Sequence, residues 1–357
     1  MDQLDHPQQS GQQDRRHPVG AADLMSANGS PGAKPKDRTD QYAEVALGVL
    51  ASAVLLLIGF MIVFVFSKAW PSFAHNGLAW FGPGGNIGEQ ETNIFNSPAN
   101  PKDYVYTFHA WPLLYATALI TGASVILATV ISLLSAMFIV EFAPDAMRRV
   151  LQPVIRLLAA VPSVVYGLIG VLVLVPFVGN HVISTAQKDS VRYVIQLDGS
   201  SILVGVMVLT VMITPIMVAI TTDALRSVPR TWTEGAAALG VNRWRALRTV
   251  GLRAARPAII AAAVLATARA LGEAIMLSMV SGSVGFAPNP LDGTTFFFEP
   301  AKTLAATIVD NSEGLSVKPF GQTVYALAAV LLISSFFLSF TGWVARQSMR
   351  KYTLQAR

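Results

Sequence analysis

Arg269 and Glu273 are the ionisable residues of an otherwise apolar run, about 257–280. Their spacing of four predicts one shared helix face, with about 6 Å between them along the axis. Arg269 lies twelve residues beyond Pro257, which is roughly 18 Å into a hydrocarbon core of ~30 Å. An isolated charge at that depth costs at least ~2.5–3.5 kcal/mol on insertion scales. The face that carries it therefore has to meet a partner or a water-filled path. Two chemistries fit: a static ion pair that locks the helix to its neighbours, or a latent anion site in which Glu273 neutralises Arg269 until a rearrangement frees it.

A second cluster precedes that run. Residues 223–256 carry Arg226, Arg230, Arg243, Arg245, Arg248, Arg253 and Arg256 against only Asp223 and Glu234. Within it, 233–248 reads as a short helix, a break at Gly240 and a second helix. Thr233 ahead of Glu234 and a run of alanines is helix-start chemistry. A small alanine face with a glycine bend fits a partner's groove. An ordinary surface helix–turn–helix carries the same pattern, and these residues by themselves leave both readings open.

The elements that must hold these features are membrane spans. The chain is 53% hydrophobic and only 13% charged, about half the charge of a soluble domain, and its apolar residues fall in long blocks. Six spans are expected at about 45–66, 113–140, 154–178, 202–222, 257–280 and 324–344, forming with their connections one all-α membrane domain over 45–345. Pro162 in the third span and Pro215 in the fourth are expected kinks, and Pro162 should free a carbonyl that a neighbour or a cavity has to re-satisfy. Gly167 and Gly170 open the third span to close helix approach. Trp70, Trp80, Phe81 and Trp111 read as interfacial anchors. Gly82-Pro-Gly-Gly85 reads as an external turn, because no strand precedes it and no Lys-Ser/Thr follows. Residues 1–44 are too polar to bury a core and are expected to be disordered.

Orientation follows from Lys and Arg. The connections after spans two and four and the tail 346–357 hold fourteen basic residues, and the alternate connections hold six. That bias places the 223–256 loop, both termini and the basic tail in the cytoplasm, and 281–321 outside. It also accounts for the net charge of +5 without nucleic-acid binding. With no cysteine there are no disulfides, thiolate metal sites or cysteine nucleophiles. No Walker A, His-Glu-x-x-His or Gly-x-Ser-x-Gly pattern occurs, so the chain is read as a non-enzyme without cofactor or metal.

The 223–256 loop resembles the "EAA" loop of ABC-importer membrane subunits. Glu234, Gly235, Ala236, Gly240, Val250 and Leu252 stand at the family's spacing, with Gly235 for the first alanine, Val250 for isoleucine and Arg253 where proline is usual. LLAAVPSVVYGLIG (157–170) and ARALGEA (268–274) are similar to the PstC/PstA permeases of phosphate-specific importers, and AWPSFAHNGLAWFGPG (69–84) looks more like the PstC kind. The resemblance covers about 45–345. It implies a type I importer permease fold in a bacterial inner membrane and a transport role for inorganic phosphate. It also implies a PstA-type second permease, a PstB-type ATPase pair and an extracytoplasmic phosphate-binding protein as partners. Glu234, Gly235, Ala236, Gly240 and Leu252 would couple to the ATPase, while Arg269 and Glu273 would line the pathway. Another oxyanion, such as molybdate or sulfate, or a transport-inactive sensor or scaffold, would use the same framework.

Overall fold

The computed structural model describes residues 38–353. The disordered tail expected over 1–44 therefore lies, up to residue 37, outside the described residues, as does the end of the basic tail beyond residue 353. The chain divides into two units at Gly59/Phe60.

The described part of the first unit is the start of α1 (Arg38–Asn76), whose side chains are exposed from Tyr42 to Gly59. In the second unit α1 runs on into a 3-10 turn, Gly77–Phe81, and α2 (Ile87–Phe95) follows. Next come α3 (Trp111–Met137), closed by a π-turn at Phe138–Phe142, and α4 (Asp145–Ala160). α5 (Ser163–Ile169) is continued through wider turns to Val182, and α6 (Thr185–Val191) and α7 (Ile202–Arg226) follow it. α8 (Arg230–Ala238) and α9 (Arg243–Ala246) lead through a π-turn, Leu247–Gly251, into α10 (Leu252–Leu271) and the short α11 (Ile275–Val280). α12 (Leu304–Asp310) and α13 (Phe320–Thr353) complete the chain. Among the described residues six helical stretches are long and apolar enough to cross a membrane.

The centre of the second unit is α3 against α7. Small residues bring the two backbones together: Ser124 Oγ donates to the Val206 carbonyl at 3.2 Å and Thr210 Oγ1 to the Ser124 carbonyl at 3.5 Å. Ile120, Leu209, Met212, Ile213 and Met217 fill the space around them. α10 adds a stripe of buried alanines, Ala255, Ala262, Ala266 and Ala270. Side chains this short let helices approach closely, which is how bundles associate where lipid removes the hydrophobic drive.

The third apolar run behaves differently from the single span expected at 154–178. It is divided at Val161–Pro162, both in extended conformation. Before the break, α4 is amphipathic. Arg148 turns inward, and Met147, Val150, Val154, Leu157 and Leu158 stay exposed. The membrane-crossing stretch is Ser163–Val182. Pro215 does not break α7, which runs unbroken from Ile202 to Arg226. Trp80 is also no interfacial anchor. It is fully enclosed, and its ring meets Phe73 and Phe108 at centroid distances of 5.0 and 5.8 Å. Trp70 and Trp111 are exposed, as an interfacial role requires.

Candidate functional site

Two interrupted spans face each other. In the third, the extended Val161–Pro162 pair leaves the Leu158 carbonyl without its partner four residues on, and it accepts instead from the Val161 N–H at 3.3 Å and the Tyr166 hydroxyl at 2.9 Å. In the fifth, α10 stops at Leu271. The Gly272 N–H closes the last turn on Ala268 O at 3.3 Å, and the chain restarts as α11 at Ile275. α5 packs on α11 through glycines. A Cβ at Gly170 would stand 2.6 Å from Val280 Cγ1, and one at Gly167 3.1 Å from Met276 Cα, so any side chain there would push the two half-helices apart. The glycines expected to admit a neighbouring helix do so, and that neighbour is the broken end of the fifth span.

This break corrects the geometry expected of Arg269 and Glu273. The helix ends between them, so they are not one turn apart on a common face. Among the described residues no ion pair joins them. Glu273 is buried, and its Oε1 accepts from the Met276 N–H at 3.3 Å. It thus supplies the first turn of α11 with an acceptor that the backbone there lacks. Arg269 is exposed at the end of α10 and lies within electrostatic range of Tyr166. It shares an uncovered stripe with Ala261, Leu265, Ala268 and Gly272. Lipid cannot cover a guanidinium at this depth cheaply, so the stripe requires a second protein surface or water. Tyr166 is the site residue that sequence reasoning passed over. Its signal was its position four residues after Pro162, one helical turn from the break.

The Arg-rich loop folds as a helix, a glycine break and a second helix. α8 starts at Arg230, three residues before Thr233. Gly240 has φ +77°, a left-handed conformation that only glycine enters without strain. The second helix opens with Asn242, whose side chain accepts from the Arg245 N–H at 2.8 Å. From there the chain is helical through Arg253 and Pro257 to Leu271, with the π-turn at Leu247–Gly251 on the way, so no turn forms at Arg253 or Pro257. Glu234 is exposed, Ala236 half-buried, and a Cβ at Gly235 would meet nothing within 4 Å. Leu252 packs with Leu225, Leu247 and Ala255 at the root of the loop.

Glu234 also borders an open cavity of about 450 Å³ that includes Glu141, Arg148 and Arg226. Arg148 is already engaged. Its guanidinium donates to the carbonyls of Ile139, Val140 and Ala143 at 2.9, 3.0 and 3.2 Å, capping the end of α3. Glu141 and this cavity were not legible as site features, because the sequence separates them from the loop by about 90 residues.

Comparison with known proteins agrees with this architecture. The family model for the binding-protein-dependent transport system inner membrane component matches residues 128–351. The Bacillus subtilis "probable ABC transporter permease protein YqgH" is 37% identical over 238 residues, 66% of this chain and 71% of that protein. The Mycobacterium tuberculosis "phosphate transport system permease protein PstC 1" is 33% identical over 294 residues, covering 79% of this chain and 84% of the relative. A "probable phosphate transport system permease protein PstC" of Methanocaldococcus jannaschii is 25% identical and covers 85% of this chain. A solved bacterial ABC transporter involved in alginate import shares the fold alone, with TM-score 0.50, 15% identity and 87% of this chain covered. The matched model spans more than half of the chain and takes in both interrupted spans and the Arg-rich loop: the chain belongs to the family of inner-membrane components of binding-protein-dependent transport systems.

Proposed function

We propose that this chain is a PstC-type permease subunit that carries inorganic phosphate inward across a bacterial inner membrane. Its relatives bear phosphate-permease names over most of its length, and the observation that carries the reading is Arg269. An exposed guanidinium at the end of an apolar helix, beside two chain breaks, is a cation placed for a passing oxyanion rather than for a neighbour in its own chain. The exposed stripe that holds it pairs with a PstA-type permease, so the pathway forms between two subunits. Glu273 works indirectly, by capping α11 and so fixing the rim of the break. The permease itself is not catalytic. A PstB-type ATPase pair docks on α8 and α9, contacting Glu234, Gly235, Ala236 and Gly240, with Leu252 anchoring the loop. An extracytoplasmic phosphate-binding protein delivers the ion. In this reading the domain covers 45–345 with the coupling loop at 223–256, and the Arg-rich end and both termini face the cytoplasm.

The test is Arg269→Leu in the assembled complex. Assembly and ATP binding should match wild type, and uptake of labelled phosphate should fall to background. Uptake near the wild-type rate at matched membrane levels would refute the site. Uptake of molybdate or sulfate in place of phosphate by the wild type would assign the same pathway to another oxyanion. Uptake of no anion at all would leave a scaffold.

A further inference from the structure

The end opposite the Arg-rich loop contains a buried charge pair that the transport pathway does not use. Lys302 Nζ lies 3.1 Å from Glu91 Oε2, with the two side chains only 10% and 13% exposed. Glu91 sits on α2 and Lys302 just ahead of α12, so the pair ties two segments that are distant in sequence. The other carboxylate oxygen, Glu91 Oε1, accepts from Asn311 Nδ2 at 2.9 Å, and the same amide donates to Thr307 O at 2.9 Å. Asn311 caps α12, whose last residue is Asp310. Asp310 Oδ1 accepts from the Ser278 hydroxyl at 2.5 Å, and Ser278 lies on α11. The path Glu91–Asn311–Asp310–Ser278 thus runs from a surface helix to the half-helix whose first turn Glu273 caps. Burial raises the Glu91 carboxyl, with Asp310 adding to the rise and Lys302 and Asn311 opposing it.

A buried pair of this kind adds little stability over apolar replacements of similar size. What it does supply is direction. Gly88, Glu89, Thr92 and Asn93 on the same helix are exposed, so α2 offers a free face outward and a charged grip inward. α11 is also held by its packing on α5 at Met276 and Val280 and by backbone bonds at its far end, where Ser201 N donates to Val280 O at 3.1 Å and Ala301 N to Ser281 O at 2.7 Å.

We infer that Glu91, Lys302, Asn311, Asp310 and Ser278 are positioning residues for transport: they hold α11 against the break and transmit displacement of α2 to it. The inference rests on the importer reading, with α2 on the outer face where a binding protein arrives. Two hydrogen-bonded links joined through the Asp310–Asn311 peptide are one physical form such coupling takes, and its proof is a measured coupling.

The experiment uses the full complex in lipid nanodiscs with two readouts. One is amide hydrogen exchange over 275–281, which does not depend on substrate. The other is the ratio of ATP hydrolysis with phosphate-loaded binding protein to hydrolysis without it. Glu91→Met with Lys302→Met, and separately Ser278→Ala, should each speed exchange and lower the ratio by about fivefold or more, the lower range of allosteric couplings. Wild-type exchange and ratio in the double methionine variant or in Ser278→Ala would overturn the relay. If the methionine variant fails to assemble, Ser278→Ala, which removes one hydroxyl, decides alone. A wild-type complex that phosphate-loaded binding protein does not stimulate would count against the function, while the exchange data would still decide the relay.

Discussion

At the end that carries α2 and α12, Trp80, Ile87, Ile94 and Phe108 are wholly enclosed. There Asn76 donates to the Tyr106 carbonyl and accepts from the Phe108 N–H, and the Tyr106 hydroxyl donates to Gln322. At the end that carries α8 and α9, Trp232, Leu239 and Trp244 are 47%, 84% and 48% exposed. The first end encloses its Trp80 and Phe108 rings within the chain and pairs the polar groups of Asn76 and Tyr106, although the Trp80 indole N–H is buried without a partner and Leu78 stays exposed. The second leaves large side chains uncovered, as surfaces that await a partner do. Its order in the assembled state therefore draws on binding energy, and substitutions at the two ends should fail in different ways.

Trp80→Ala is expected to show the largest effect. Emptying a fully buried tryptophan site costs about 3–5 kcal/mol. Thermal unfolding of the solubilised protein should shift accordingly, with hydrogen exchange rising over 77–110. A melting point close to wild type would show that this end does not rely on its own core. Ala236→Glu tests the opposite end. Ala236 is half-buried on α8, and a bulky charge in a packed contact costs about 3 kcal/mol, roughly a hundredfold in docking affinity. Folding and membrane level should be unchanged and ATP-driven uptake lost. Unimpaired uptake would mean that no partner seats on this face. Gly240→Asp would be a poorer probe, because the positive φ strains any side chain there.

A smaller effect separates the two ends by pH. Glu299 lies in the connection between α11 and α12, where burial, reinforced by Asp292 against the pull of the Asn289 N–H, raises its carboxyl to about 7. The folded state favours the protonated form. Its contribution is full below the ordinary carboxylate range and is lost as pH rises through about 7. Exchange over 289–299, corrected for intrinsic rate, should therefore quicken between pH 6 and pH 8. Glu299→Gln should remove that change, and the 230–248 loop should show none of comparable size. A flat profile in the wild type would place Glu299 in a better solvated setting. The smallest change expected is a gain. Gly235 lies inside α8 with open space around it, so Gly235→Ala should stabilise that helix by about 0.4–1 kcal/mol, leaving uptake intact. Loss of uptake in this variant would show that a partner's backbone needs the room.

The spans were legible because apolar runs of that length have few other uses. The third was misplaced at its start because α4 puts Val154, Leu157 and Leu158 on one exposed stripe, and a linear reading merges that stripe with the span behind it. Arg148, Arg149 and Arg156 were the available warning. Arg269 and Glu273 were found by type and depth, but their relation was not. Spacing predicts a shared face only while the helix lasts, and Gly272 between them was the stop signal. Trp80 was misread because a tryptophan near a span end looks the same whether it meets headgroups or a folded cap. Only the fold of 69–110 distinguishes the two.

The hydroxyl that closes the break in the third span has a consequence for inheritance. Pro162 removes the N–H that would have met Leu158 O, and the Val161 N–H at 3.3 Å and the Tyr166 hydroxyl at 2.9 Å share that acceptor instead. Losing the tyrosine alone leaves the carbonyl its longer bond only, at a cost of about 0.5–1.5 kcal/mol. Losing the proline alone frees residue 162 to offer an N–H to the same oxygen. Proline and tyrosine thus act on one acceptor, and changes at the two positions should not add. What a descendant of this chain loses by changing one depends on whether it has already changed the other.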